Sequence, residues 1–597
     1  MALQHRPIAD TKTHPVLLAG VNTLAENFHG ELTIQNAPIS DLKLASLETD
    51  KLFPIASQQN TAQNTKQVTV KDLPVGYYEF KATDPACPNF QQYLFIHPKS
   101  CFCPAQSTPK DILMVQLYAL SSDRNWGIGD FTDLKLLLKQ CAGKYAYVGV
   151  NPLHALSPND LTEISPYAPD SRLLYNELYL DIEKVAADIG ADLYVQKYKS
   201  RAFQQELQKD RAHIYIDYQK TGTRKLRELQ NLFRFFIGDL HRRDQTTKQF
   251  SDFIQASTTK LHAVLYSRTL SRKWFKRSIS VYCVLFEYFL QWHCERQIQS
   301  ALTESSCRLY FDLAIGIAQT SSEISANKGL FSLEKSLGAA PDEFSTHGQI
   351  WNIAPLNCLV SQRTGHMFFR SMIAANMKYA SALRVDNIAS YFHRFTIPTG
   401  MTAKHGTYEN IPFREFFAIL AIESHRHHCI VIGEDLGVIP KNLRPELRRW
   451  KIFGSLVYQH EFQKINADEI PPSRSQSSLF SFSTHDCPPL IAFKNATDID
   501  IHRALGRICA NEAKQKRKER AVSLSSMFCQ QTPDFASTAA REQMLRQISN
   551  KVAAPINGYL LDDILGEVLP VNVPGTDKEY PNWQRKYSTK LSSGLFL

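Results

Sequence analysis

Short apolar runs that stop abruptly at charge are the dominant pattern of this chain. Ile112 to Leu120, Ala146 to Leu153, Arg308 to Ala314, Gly454 to Tyr458 and Gly558 to Leu561 each read as a buried strand. Three more runs end in a carboxylate: Ala382 to Asp386, Ile430 to Glu434 and Asp435, and Ser481 to Asp486. Nearly continuous apolar runs of this length suit parallel strands covered on both faces. A helical stretch, Asp133 to Gln140, separates the first two strands, so they form a parallel pair with a right-handed crossover. Eight such strands are the number a closed (β/α)8 barrel needs. The pattern therefore predicts an α/β fold, a TIM barrel, over residues 106–597.

Two regions break this rhythm. Residues 1–105 carry short β-rich runs at Glu31 to Ile34, Gln67 to Val70, Tyr77 to Phe80 and Tyr93 to Ile96, punctuated by Pro, Gly, Asn and Asp. They predict a small N-terminal β-sandwich-like domain, with Pro98 to Pro109 as linker. Residues from about 160 to 305 are charged and helical in period. Leu226, Leu229, Phe233 and Phe236 recur at helical spacing, and Val281 to His293 is a second apolar helical run. This region reads as a helical insertion after the second strand. Gln463 to Ser478, polar with a Pro pair, reads as a loop.

Length and composition add limits. At 597 residues the chain exceeds one core. Hydrophobic residues at 43% and charged ones at 21% describe a globular protein. The net charge is +10, but its densest run, Lys514 to Arg520, reads as a solvated helix face without the interleaved aromatics of a nucleic-acid site. No segment reaches the ~20 apolar residues of a membrane span, and Met1 to Arg6 lacks the features of a signal peptide. Twelve cysteines without framework spacing suit reduced thiols in a cytoplasm. Neither Cys101 and Cys103 nor His425, His427 and His428 has metal-site spacing, so no metal is expected. His425 to His428 read as surface or strand-entry residues.

The three carboxylate-ended runs carry the chemistry. Strand C-termini of a parallel barrel converge on one face, so Asp386, Glu434 and Asp486 are expected to form one site. Cleaving an acetal needs a proton for the leaving oxygen and a negative charge opposite the developing cation. Arg384 falls on the same strand face as Asp386 by period-two alternation and is expected to hold Asp386 ionised. Asp435 is expected to raise the pKa of Glu434 by repulsion, and His485 with Asp486 to grip sugar hydroxyls.

These residues resemble the 4-α-glucanotransferases, also called amylomaltases, over about residues 112 to 590. Asp123 to Phe131, Asn151 to Leu156, Ser165-Pro166-Tyr167, Asp312-Leu313-Ala314, Asp342 to Ser345, Gly348 to Trp351, Asn572 to Thr576 and Pro581-Asn582-Trp583 recur in the family's order. The N-terminal domain and the helical insertion resemble the family's bacterial maltodextrin branch. The resemblance implies retaining transfer of α-1,4-glucan segments between maltodextrins, releasing glucose, without a cofactor. It implies Asp386 as nucleophile, Glu434 as acid and base, and Asp486 as transition-state stabiliser. Arg384, His485, Tyr167, Asp312, His154 and Asn151 would surround the donor sugar, and Trp351, Trp126 and Tyr408 would stack on sugars. The chain departs from the family pattern at Asn387 (usually His), Asn352 (usually Gly), Phe392 to Thr396 (no Trp) and Cys487-Pro488-Pro489 (usually Leu-Pro-Thr). Two alternatives stand beside transfer: an α-1,4-glucan hydrolase on the same barrel, and a non-catalytic glycan-binding protein. Partners would be α-1,4-glucans and maltooligosaccharides, not nucleic acid or membrane. The sequence assigns no oligomeric state.

Overall fold

The computed structural model describes residues 16–17, 20–28, 30–35, 42–60, 65–82, 90, 92–104, 110–238, 245–272, 280–341, 347–527 and 535–591. Eight parallel strands make the central sheet. They are β1 (Lys110–Val115), β2 (Tyr147–Val150), β3 (Arg308–Leu313), β4 (Ala382–Val385), β5 (Ile430–Gly433), β6 (Gly454–Val457), β7 (Ser478–Ser481) and β8 (Ile556–Leu560). Their order is β5-β4-β3-β2-β1-β8-β7-β6, that of a (β/α)8 barrel. Every residue of β2, β5, β6, β7 and β8 is buried, which is why these runs carry no polar alternation. Gly149 in β2 is required by close approach, because a Cβ there would lie 2.6 Å from the Tyr310 ring.

Each of the eight sequence runs contains or adjoins an observed strand, with shifts at the ends. β7 ends at Ser481, so Phe482 to Asp486 lie beyond it rather than within it. Gln463 to Ser478 is not a plain loop: helix Tyr458–Asn466 and the short helix Pro472–Ser475 occupy half of it. His425 and His427 close helix Phe413–His427, and His428 is its left-handed cap. They are helix-end residues, and His425 and His428 are exposed, in line with the surface reading. Among the described residues, no cluster of His, Cys, Asp or Glu is placed to hold a metal, and no helix is long and apolar enough to cross a membrane.

The chain divides into two compact units. The second comprises Ala105–Ala326, Tyr379–Asp386 and Phe453–Leu597. Here, among the described residues, seven α-helices lie between β2 and β3, ending with Tyr218–Gly238, Gln245–Ala256, Thr259–Ser271 and Val281–Thr303. Leu226, Leu229, Phe233 and Phe236 are all buried, and Phe233 and Phe236 meet Phe289 at ring distances of 5.4 and 5.5 Å. Beneath them Arg268 and Arg272, both fully buried, share Glu177 and Glu287. Buried charges of this kind persist only when paired.

The first unit comprises Met1–Pro104, Asn327–Lys378 and Asn387–Ile452. Its N-terminal part is two sheets face to face. One orders strands Val16–Leu17, Gly30–Gln35, Thr65–Val70 and Ala56–Asn60; the other orders Gly20–Ala25, Gln92–His97, Gly76–Ala82, Leu42–Ser46 and Leu52–Phe53. Leu32, Ile34, Val68 and Val70 from the first pack on Leu44, Phe80, Leu94 and Ile96 from the second, a sandwich core. The predicted linker from Pro98 continues as coil to Pro104, and its remainder lies outside the described residues. Within the same unit, the buried Tyr77 hydroxyl donates to Glu423 on helix Phe413–His427 at 2.6 Å. Arg426 also pairs with Glu423 at 3.0 Å.

Tyr77→Phe keeps the ring contacts and removes that donor. It is expected to cost about 1.5 kcal/mol, the low end for a bond to a charged group because Arg426 remains. A lowered urea midpoint with unchanged slope checks it.

Candidate active site

The second unit gathers most of the predicted residues around one cation. Arg384, the third residue of β4, has its Nη1 2.8 and 3.0 Å from the two carboxylate oxygens of Asp312. The same nitrogen lies 3.0 Å from Oδ1 of Asp386. Asp312 belongs to β3, and β3 pairs with β4 so that Asp312 stands opposite Arg384. Neighbouring strand ends thus set the ion triad before any loop is considered. Asp386 follows β4 directly; its amide donates to the Leu313 carbonyl, and the Ile315 amide reaches its Oδ2 at 3.4 Å.

From Asp312 the polar contacts continue without a break. The Tyr167 hydroxyl donates to Asp312 at 2.7 Å and lies 3.2 Å from Nδ1 of His485. The two rings stack, with centroids 4.7 Å apart. Nε2 of His485 is 3.5 Å from Asp486, and Asn572 donates to Asp486 at 2.6 Å. Asp486 remains 46% exposed at its side chain, against 16% for Asp386. That difference leaves Asp486 reachable by a ligand hydroxyl and Asp386 recessed.

Arg384 favours the ionised form of Asp386, as expected, but burial opposes it. Burial raises the Asp386 carboxyl above its ordinary value, and Arg384 does not reverse the shift. Asp312 and Asp486 push it further up, while His485 opposes. Arg384 is shared with Asp312, so its charge does not serve Asp386 alone.

Three predicted residues are spent inside the fold. Asn151 accepts from the Leu117 amide at 2.7 Å and donates to Tyr179 and to the Pro152 carbonyl, both at 3.0 Å. His154 is buried, its Nε2 faces the Ala314 amide at 3.4 Å, and burial pushes its pKa down to about 3. It is a neutral acceptor that steadies the end of β3. Trp126 is 3% exposed, with its ring against Tyr198 and Phe203; no face is open to a sugar, so the stacking role is withdrawn. Two residues of the site were not assigned from sequence. Asn572 holds Asp486, and Trp583 lies 5.5 Å from the Tyr167 ring and 5.6 Å from that of His485. Both stand in quoted motifs, and that was their only signal.

In the first unit, Glu434 directly follows β5. Its carboxylate accepts from the amides of Asn387 and Leu436 at 2.9 and 2.8 Å. Asp435 is fully buried and paired with Arg444 at 2.7 Å. The repulsion expected between Asp435 and Glu434 is therefore answered by an arginine. Trp351 is partly exposed and its indole donates to Gln349 at 3.0 Å. Tyr408 is 44% exposed and stacks on His393 at 4.7 Å. Asp342 to Ser345 lie outside the described residues. Asn352 and Asn387 have φ of +56° and +41°. Asparagine is among the few residues that enter this left-handed region readily, so the glycine replaced at Asn352 gives way to a residue that still takes its backbone.

Comparison with known proteins follows the same line. A family model described as 4-alpha-glucanotransferase matches residues 115–592. A 4-alpha-glucanotransferase of Haemophilus influenzae is 30% identical, over 89% of this chain and 83% of that protein. One of Mycobacterium bovis is 27% identical, over 79% and 70%. Among solved structures, amylomaltase from Corynebacterium glutamicum superimposes with a TM-score of 0.82 at 22% identity, covering 97% of this chain and 88% of that one. Amylomaltase from Streptococcus agalactiae, solved with acarbose, gives 0.62 at 16%, covering 82% and 98%. At these identities the structures speak for the fold.

Asn387 supplies a local test. Its side chain accepts from the Ser390 amide and hydroxyl at 3.2 and 3.1 Å while its backbone is left-handed. Asn387→Ala loses the cap and strains the backbone, and is expected to cost about 1–2 kcal/mol. Asn387→Gly is expected to cost less, because glycine takes that conformation freely. Urea midpoints of the two variants check the order.

Proposed function

The chain belongs to the 4-alpha-glucanotransferase family, and from that premise we propose how its residues divide the reaction. The activity is transfer of α-1,4-glucan segments between maltodextrins, with α-1,4-glucans as donor and acceptor. Asp386 attacks C1 of the donor sugar while Glu434 passes a proton to the departing 4-oxygen. The C1–O4 bond breaks and a glucosyl ester forms on Asp386. An acceptor 4-hydroxyl then gives its proton to Glu434 and its oxygen to C1, and Asp386 leaves as a carboxylate. One α-1,4 bond is broken and one made. Two displacements at C1 retain its configuration. No step needs a metal or organic cofactor. Asp486, steadied by His485 and Asn572, holds sugar hydroxyls as charge develops on the ring.

One observation carries this reading: the unbroken run of polar contacts from Asp386 through Arg384, Asp312, Tyr167 and His485 to Asp486. The place of Glu434 is supported by two features. It stands at the C-terminal end of its own parallel strand, and it accepts from the amide of the residue that follows Asp386. Residues 1–105 serve as a structural module in this reading, and residues 106–597, with the insertion at about 160–305, carry the chemistry. A cytoplasmic location belongs to it too, since the described cysteines are free thiols.

Pure maltotriose tests the assignment. The protein is expected to return glucose and a ladder of longer maltodextrins. Asp386→Asn is expected to lose this activity by on the order of 10⁴-fold. Glucose and maltose alone, with reducing ends rising, would mean hydrolysis.

The pH profile tests Arg384. Asp386 must be ionised to attack, so activity falls as pH drops through its pKa. Arg384 is what pulls that pKa down against burial. Arg384→Met is therefore expected to move the acid limb of kcat/KM to higher pH.

A further inference from the structure

Asp486 sits on the stretch from Phe482 to Pro489, between β7 and helix Leu490–Asn495. This stretch has no regular structure, and its exposed end must present a carboxylate in one orientation. Ser483 lies two residues before His485, and Leu490 is the first residue of the helix beyond. A single side chain, Asp563, holds both. Its Oδ2 accepts from the Ser483 hydroxyl at 2.6 Å, and its Oδ1 accepts from the Leu490 amide at 2.8 Å. Asp563 is 1% exposed, and Ser483 and Leu490 are fully buried.

Two facts argue that this bridge is more than a generic cap. Helix Leu490–Asn495 has no side-chain cap of its own, because Pro489 stands at that position; its first amide depends on a carboxylate from another element. Asp563 comes from the short helix Leu561–Leu565 that follows β8, the strand paired with β7. A residue fixed to the neighbouring strand thereby fixes both ends of the loop. Inside that span Thr484 supports the Asp486 amide at 3.2 Å, and Gln459 donates to the Pro488 carbonyl at 2.8 Å.

We infer that Asp563 is a positioning residue for the transfer reaction: its carboxylate clamps the two ends of the loop that presents His485 and Asp486, and so sets where Asp486 meets the sugar. The inference rests on the role assigned to Asp486 above. Asp563 touches no substrate and acts only through the loop. Burial pushes its carboxyl up to about 7, with Asp562 beside it adding to the rise and the Ser483 and Leu490 donors opposing. Asp562 itself is answered by Arg585 and Tyr587. The fold thus keeps an acid where a neutral group would sit more easily, which is the pattern expected where function sets the residue.

The test uses the full-length protein with maltotriose and four variants. Asp563→Asn retains shape but turns a donor toward one of the two partners. Ser483→Ala removes one leg alone. Asp486→Asn and the double variant Asp563→Asn with Asp486→Asn complete a cycle. Asp563→Asn is expected to lower kcat by about 10- to 100-fold, the scale of a displaced catalytic group, with a smaller change in KM. Ser483→Ala is expected to lower kcat less. In the Asp486→Asn background, Asp563→Asn is expected to add little. An unchanged kcat in Asp563→Asn, or the same fold-loss in both backgrounds, would overturn the inference, since a merely structural residue acts independently of Asp486. Should Asp563→Asn fail to fold, Ser483→Ala against the same two backgrounds decides by the same criterion. Wild-type turnover in Asp486→Asn would overturn the role of Asp486 itself, and the inference with it.

Discussion

Everything at the candidate site depends on one guanidinium. Arg384 stands near the end of β4, and a single nitrogen meets Asp312 from β3 and Asp386, the residue just beyond β4, within 3.0 Å. Two carboxylates this close would repel each other strongly in a largely buried setting. The arginine lets both remain. Breaking such a pair from either side leaves an uncompensated charge, a loss of about 3–5 kcal/mol when the group is buried. The parallel pairing of β3 with β4 makes the triad a consequence of register: Asp312 lies opposite Arg384, and a slip of one residue would turn both side chains to the other face.

A second constraint is covalent. The amide that Glu434 accepts belongs to Asn387, the residue joined to Asp386 by one planar peptide. Glu434 is thereby held by a planar, rigid peptide unit. The left-handed turn at Asn387 aims that nitrogen. Asparagine serves there because its short side chain tolerates the conformation and also caps the turn that follows at Ser390.

How much of this the sequence disclosed follows from what each pattern encodes. The eight strands were legible because buried parallel strands are short, apolar and sharply bounded. The carboxylates that directly follow two of them, Asp386 and Glu434, were legible for the same reason. Phe482 to Asp486 looked like strand because it follows the apolar Leu479 and Phe480 without a break, whereas pairing with β6 stops at Ser481. Gln463 to Ser478 looked like loop because helix Tyr458–Asn466 has a non-helical residue at Glu461 and helix Pro472–Ser475 is a single turn. Neither offers a long apolar face. Asn151, His154 and Trp126 show a different limit. Residue type and motif order place them near the site, but only packing reveals that their polar atoms and ring faces are already taken. Asn572, Trp583 and Asp563 show the converse, since their partners lie far away in sequence and no local periodicity marks them.

The raised pKa of Asp386 then has a physical meaning. Asp386, Asp312 and Asp486 face one arginine and one histidine, three acidic groups against two basic ones. Such a group resists ionising a recessed carboxyl, which is what burial and the two neighbouring aspartates do to Asp386. In the proposed mechanism a sugar passing through an oxocarbenium-like state brings positive charge to this place. Interactions that strengthen only as that charge appears lower the barrier without tightening the ground state. Field and shape are fixed beforehand by strand ends, an aromatic stack of Tyr167 on His485, and hydrogen bonds that already point inward, so little reorganisation remains for the reacting complex to make. The crowding of negative charge around Arg384 and the group's fitness for a positively charged sugar are, in the proposed mechanism, the same property.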